Sequence, residues 1–179
     1  MIRSRGFPQH ITPLFLYQQD KLLKAHQAYK QAKAGEQNAA LELVLDVAMA
    51  WLYDHRDRFG PGLLFVAPHA QEATGDNAIP QTLAAVCAAV FRGQVDTEIV
   101  QSDRVYHTGA DPMERMAARA QFEGRVIPGS EYVLVDDVTS LGGTLAELSN
   151  YIESFGGVVK GVVVLVIECT VRKNQNESR

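Results

Sequence analysis

The sequence predicts an α/β fold: a mainly parallel sheet with helices on both faces, preceded by an N-terminal helical segment. Three observations carry that prediction. From residue 63 onward, short apolar runs alternate with helical patterns, the order of βαβ units. The runs at 63–67, 132–135 and 158–167 are rich in apolar residues at successive positions, as strands covered on both faces are. The run at 133–135 also gives way to two acids, a small-residue loop and a helical pattern, as at the carboxyl end of a strand where open sheets bind ligands.

The elements follow in order. Residues 14–57 are helical in pattern, with one helix from about Tyr17 to Ala32, broken at Gly35, and a second from about Gln37 to Arg56. On the second, Leu41, Val44, Leu45, Ala48, Met49 and Leu52 recur at helical spacing as the expected core face, and Trp51 reads as core rather than as a stacking platform. Gly60-Pro61-Gly62 stops that helix, and Leu63–Ala67 is a buried strand. Asn77 caps a helix to about Phe91 whose apolar face holds Ile79, Leu83, Val86, Cys87 and Val90. Thr97–Gln101 is the next expected strand. Asp111-Pro112, with Glu114 behind, opens a helix to about Gln121. Strand 132–135, helix 144–155 and strand 158–167 complete the core, with Gly156-Gly157 as the C-cap. The expected division is a helical segment over 1–60, serving as a hood or dimer contact, an α/β core over 61–171 and a frayed tail over 172–179.

Composition bounds the function. The chain has 179 residues, 46% of them hydrophobic and 21% charged, which suits one globular domain with a sizeable core. A net charge of −4 with no Lys/Arg-rich stretch argues against a nucleic-acid surface. Val162–Ile167 is too short to span a bilayer, and the N-terminus lacks a secretory pattern. Cys87 and Cys169 show no metal-ligand spacing and read as buried, reduced thiols, so the expected location is the cytoplasm. His10, His26 and His55 show no spacing that gathers a zinc ion.

The chemistry concentrates in Val133-Leu-Val-Asp-Asp-Val-Thr-Ser-Leu-Gly-Gly-Thr144. Asp136 and Asp137 emerge at a strand end, where carboxylates accept hydrogen bonds from sugar hydroxyls. Gly142 and Gly143 permit close backbone approach and leave amides free at a helix N-terminus, a setting for an anion. Together they describe a cradle for a ribose 5-phosphate. An ordinary βα turn with a solvated acid pair is the alternative. A dinucleotide site fits less well, because there the glycines directly follow the strand, and no Gly-Lys-Ser/Thr marks a Walker loop.

This stretch resembles the phosphoribosyl-pyrophosphate (PRPP) motif of the type I phosphoribosyltransferases, and the resemblance extends over about residues 62–170. It implies that Asp136 and Asp137 hold the ribose hydroxyls, that the loop from Thr139 through Ser140, Leu141, Gly142 and Gly143 to Thr144 holds the 5-phosphate, and that the same acids serve Mg2+ directly or through water. Leu141 stands where many members carry a threonine, so only its amide is offered to phosphate. The loop after the first core strand implies a pyrophosphate contact at Pro68, His69 and Ala70. Pro68 has no amide to donate, and His69 also reads as a plain turn histidine. A basic loop before the motif places Arg104 and His107 near pyrophosphate, while Arg115 and Arg119 read as a solvated helix face.

The implied activity is Mg-dependent transfer of the phosphoribosyl group of PRPP to a nitrogenous acceptor, with release of pyrophosphate. The catalytic set is Asp136, Asp137 and Arg104, acting by positioning, charge stabilisation and exclusion of water. Some purine-using members carry an acid where Ser140 stands, and a serine is a poor general acid or base. A non-catalytic PRPP- or nucleotide-sensing regulator on the same fold is the alternative. The expected partners are PRPP and a base-like acceptor, with no nucleic acid and no membrane, in a homodimer.

Overall fold

The computed structural model describes residues 11–68, 77–102, 120–139 and 142–168. Its elements are β1 (Leu14–Tyr17), α1 (Lys21–Lys24), α2 (Tyr29–Lys33), α3 (Gln37–Asp54), β2 (Leu64–Val66), α4 (Ile79–Val90), β3 (Gln94–Val95), β4 (Val100–Ser102), β5 (Gln121–Glu123), β6 (Glu131–Thr139), α5 (Gly143–Ser154) and β7 (Val158–Ile167). Five strands form one sheet in the order β1-β7-β6-β2-β3, every pair parallel, as the alternation of elements predicts.

The pleat of the central strands divides the core in two. Val133 and Val135 of β6, Val163 and Leu165 of β7 and Phe65 of β2 pack with α2, α3 and α4 on one face. Tyr132 and Leu134, with Val162 and Val164, pack with Leu145, Leu148 and Ile152 of α5 on the other. Helices on both faces explain why β6 and β7 are almost continuously apolar.

Three expectations from the sequence are corrected. Residues 14–17 are a strand, not the approach to a helix, because they pair with β7, Leu14 opposite Val163 and Tyr17 opposite Val166. The helix expected over 17–32 is two short helices, separated by a turn in which His26 Nδ1 accepts the Ala28 amide at 3.2 Å. The strand expected at 97–101 forms only at its end, Val100 and Gln101, and a separate short strand precedes it. Gln94–Val95 joins the main sheet beside β2, while Val100–Ser102 pairs antiparallel with Gln121–Glu123 in a separate ribbon. Gln121, the expected end of a helix, is therefore a strand residue, and the rest of that helix, 111–119, lies outside the described residues.

Helix α3 starts where the sequence places it, with the Glu36 carboxylate accepting the Asn38 and Ala39 amides. Its buried face is rotated from the expected one. Ala39, Ala40 and Leu43 are buried with Val44, Ala48 and Leu52, while Leu41, Leu45 and Met49 are exposed. Small residues allow α2 and α4 to approach on that side. Trp51 packs half-buried against the core, as expected. Cys87 is buried on α4, and burial pushes its thiol well above the ordinary range, so it behaves as a small apolar side chain. Cys169 lies outside the described residues, as does the tail from 172 onward.

The ribbon is held to the core where β5 ends. Gly124 has φ +114°, and a Cβ there would fall on the Glu98 carbonyl, while its own carbonyl accepts the Tyr151 hydroxyl at 2.7 Å. Gly124→Ala is expected to cost about 2–3 kcal/mol, from strained backbone and a clash with main chain rather than a mobile side chain. Urea denaturation monitored by far-UV circular dichroism measures it; an unchanged midpoint would show that the ribbon gives way freely.

Candidate functional site

β6 does not stop at the core. It runs through both acids to Thr139, keeping parallel register with β7 through the Asp136–Val164, Val138–Val166 and Thr139–Ile167 pairs. The acids thus stand at the carboxyl edge of the sheet, where the sequence places them. Alternation along the strand sends Asp136 toward the α5 face and Asp137 toward the face covered by α2, α3 and α4.

Their surroundings differ accordingly. Asp137 is 4% exposed. Its Oδ2 accepts from Lys33 Nζ at 2.8 Å and from Asn77 Nδ2 at 2.9 Å, and its Oδ1 accepts the Val138 amide at 2.9 Å. Asp136 is half-buried, and its Oδ1 accepts the Asp137 amide at 2.9 Å. Burial, and next the negative charge of Asp137, push its carboxyl up to about 7. Lys33 opposes this only weakly. The expectation of two exposed acids is corrected for Asp137, which is buried with Lys33, Asn77 and the Val138 amide as donors.

Past β6, Gly142 adopts the left-handed conformation, φ 64° and ψ 18°, and its carbonyl accepts the Ala146 amide at 2.8 Å to start α5. Among the described residues no side chain caps this helix, and a Cβ at exposed Gly143 would meet nothing within 4 Å. The amides of the first turn have no intrahelical partner, and the helix dipole favours negative charge beside them. Thr144 follows on the same turn.

Of the other predicted residues, Pro68 follows β2, whose end lies beside β6 through the Val66–Leu134 pair. His69, Ala70, Arg104, His107, Ser140, Leu141, Arg115 and Arg119 lie outside the described residues. Among the described residues, no three His, Cys, Asp or Glu side chains gather as a metal site. Sequence reasoning missed Lys33 altogether, because 104 positions separate it from Asp137. It did select Asn77, but only as a cap. That role survives in modified form, Asn77 Oδ1 accepting the Ile79 amide at 3.2 Å while its amide group turns to Asp137.

Comparison with known proteins places this geometry among others. No family model matches the chain. It is similar to Protein TraN of Escherichia coli, 41% identical over 145 residues, covering 76% of this chain and 31% of that protein. It is also similar to an uncharacterized protein of Haemophilus influenzae, 32% identical over 131 residues, covering 72% of this chain and 29% of the other. The chain thus spans about a third of the length of these curated relatives. Solved structures similar to it include adenine phosphoribosyltransferase from Rhodothermus marinus, with TM-score 0.48, 17% identity and coverage of 72% of this chain and 71% of that one. They also include a hypoxanthine phosphoribosyltransferase from Staphylococcus aureus, with TM-score 0.43, 18% identity and coverage of 80% and 68%.

The state of Asp136 has a consequence for stability. A carboxyl that favours its proton in the folded chain binds more protons than the unfolded chain between about pH 4 and pH 7, so its contribution falls as pH rises through that window. Asp136→Asn keeps the side-chain acceptor and removes the charge. Near pH 4 the variant should match the wild-type chain; as pH rises it should gain steadily, and at pH 8 it should be more stable by on the order of 2–4 kcal/mol. Thermal melts across pH 4–8 measure the difference, and parallel curves would show that Asp136 is ionised throughout.

Proposed function

We propose that the chain binds PRPP at the carboxyl edge of its sheet and transfers the phosphoribosyl group to a nitrogenous acceptor, releasing pyrophosphate. One observation carries this reading: a helix N-terminus entered through a left-handed glycine, with no side-chain cap among the described residues, begins four positions after a strand end that presents Asp136. On this reading the amides of α5's first turn and the loop over 139–144 take the 5-phosphate, and Asp136 accepts from a ribose hydroxyl. Pro68, His69, Ala70, Arg104 and His107 are proposed for the pyrophosphate, on the resemblance of the sequence alone.

The acceptor nitrogen attacks C1 of the ribose. The C1–O bond breaks, its electron pair leaves with pyrophosphate, and the acceptor's proton passes to solvent or a base. No nucleophilic side chain is required; the chain contributes orientation and donors placed for the leaving charge. The half-buried carboxylate oxygens of Asp136 are donors of the type magnesium takes, so Asp136 would hold Mg2+ together with the ribose and diphosphate oxygens. When bound, the ion would neutralise charge on the diphosphate.

A non-catalytic PRPP- or nucleotide-sensing regulator is the second reading, favoured by Leu141 in place of a phosphate-binding hydroxyl. A homodimer belongs to the same proposal, with the exposed Leu41, Leu45 and Met49 of α3 as apolar area for a second copy to cover. Among the described residues no helix is long and apolar enough to cross a membrane.

Incubation with magnesium-PRPP should raise the melting temperature, and a panel of purine, pyrimidine and amide acceptors should include one that releases pyrophosphate. Binding without turnover on any acceptor favours the regulator; no thermal shift with PRPP overturns both readings. A substitution at the start of α5 separates binding from stability. Gly143→Asp adds a carboxylate where the helix dipole favours it, worth about 0.3–1 kcal/mol, yet places negative charge where the phosphate would sit. Its melting temperature should hold or rise while PRPP affinity falls at least tenfold, as calorimetric titration would read. Unchanged affinity would remove the phosphate from this helix.

A further inference from the structure

We propose that the two adjacent acids have separate roles: Asp136 meets the ligand, whereas Asp137 is a positioning residue whose carboxylate, held by Lys33 and Asn77, fixes the strand end against α2 and α4. The ligand half of this statement rests on the sugar-phosphate reading above; the clamp itself does not.

The geometry is specific. Lys33 is the last residue of α2, and its ammonium reaches Asp137 Oδ2 at 2.8 Å while its own side chain stays partly in solvent. Asn77 reaches the same oxygen from the approach to α4. The backbone ties these two arms to each other, with the Ala78 amide donating to the Ala32 carbonyl at 3.0 Å. Three elements distant in sequence therefore meet at one carboxylate. Turning Asp137 toward a ligand would leave the Lys33 ammonium and the Asn77 amide without this acceptor, and would break the bond from the Val138 amide that shapes the end of β6. Among the described residues Asp136 is engaged only by its neighbour: its Oδ1 accepts the Asp137 amide and the Asp137 side chain lies beside it, while Lys33 and Asn77 bond Asp137 instead. On the sugar-phosphate reading its other carboxylate oxygen meets the ligand.

Clamp and direct contact predict different behaviour when both ends of the ion pair are removed. Removing Lys33 alone leaves a buried carboxylate without its cation, and removing the Asp137 charge alone leaves the ammonium without its anion; removing both leaves neither. The proteins needed are wild type, Lys33→Met, Asp137→Asn, the Lys33→Met/Asp137→Asn pair, Lys33→Arg and Asp136→Asn, studied by thermal melts and by titration with magnesium-PRPP.

The single variants Lys33→Met and Asp137→Asn should each melt several degrees lower and bind PRPP about tenfold more weakly. The double variant should melt well above the sum of the two losses and regain most of the affinity, and Lys33→Arg should keep both. Asp136→Asn should lose affinity at least a hundredfold without melting lower. A double variant that is stable but still cannot bind PRPP overturns the proposal, since Asp137 then touches the ligand itself. If the wild-type chain shows no PRPP binding, the functional reading fails, and additivity of the melts still decides the clamp: coupled losses support it and additive losses overturn it.

Discussion

β6 is buried by helices on both faces for most of its length and then continues, still paired to β7, into two acids. Because a strand alternates its side chains, extending a two-faced apolar strand by two residues must deliver one acid to each face. One carboxylate arrives on the face that α5 covers. The other arrives in the packed interior under α2 and α4, where a buried charge persists only with donors around it. The architecture of the site, including the need for Lys33 and Asn77, follows from that pleat.

The two carboxylates consequently carry unequal costs. Asp137 exchanges water for an ammonium, an amide group and a backbone N–H, so its burial is offset locally. Asp136 is buried without a cation bonded to it among the described residues and feels the charge next door, so its carboxyl is pushed up to about 7 and keeps its proton at mildly acidic pH. A site that holds an acid in this state stores free energy that a ligand donating hydrogen bonds, or a divalent cation, releases on binding. The first turn of α5, without a side-chain cap among the described residues, works in the same sense, since the helix dipole there favours negative charge.

The N-terminal segment is more closely joined to this arrangement than a separate hood would be. β1 extends the sheet beside β7, α3 covers one face of it, and α2 ends at the ion pair with Asp137. A shared core thus links the described residues before 60 to the strand end at 136–139.

What the sequence determined by itself was local or periodic. The alternation of runs after residue 63 specified parallel strands between helices, and Asp-Asp followed by Gly-Gly-Thr placed the strand end, the turn and the helix start within a dozen residues. Cap and turn chemistry act over a few positions, so they are readable there. The tertiary structure decided everything set by partners distant in the chain. Leu14–Tyr17 is apolar enough for either period, and became a strand only because β7 offered a free edge. α3 carries apolar residues on more than one side, and the close approach of α2 and α4 chose the face with Ala39, Ala40 and Leu43. Lys33 looks like any surface lysine until the fold brings it across 104 positions to Asp137, because electrostatic pairing depends on distance in space and not on separation along the chain.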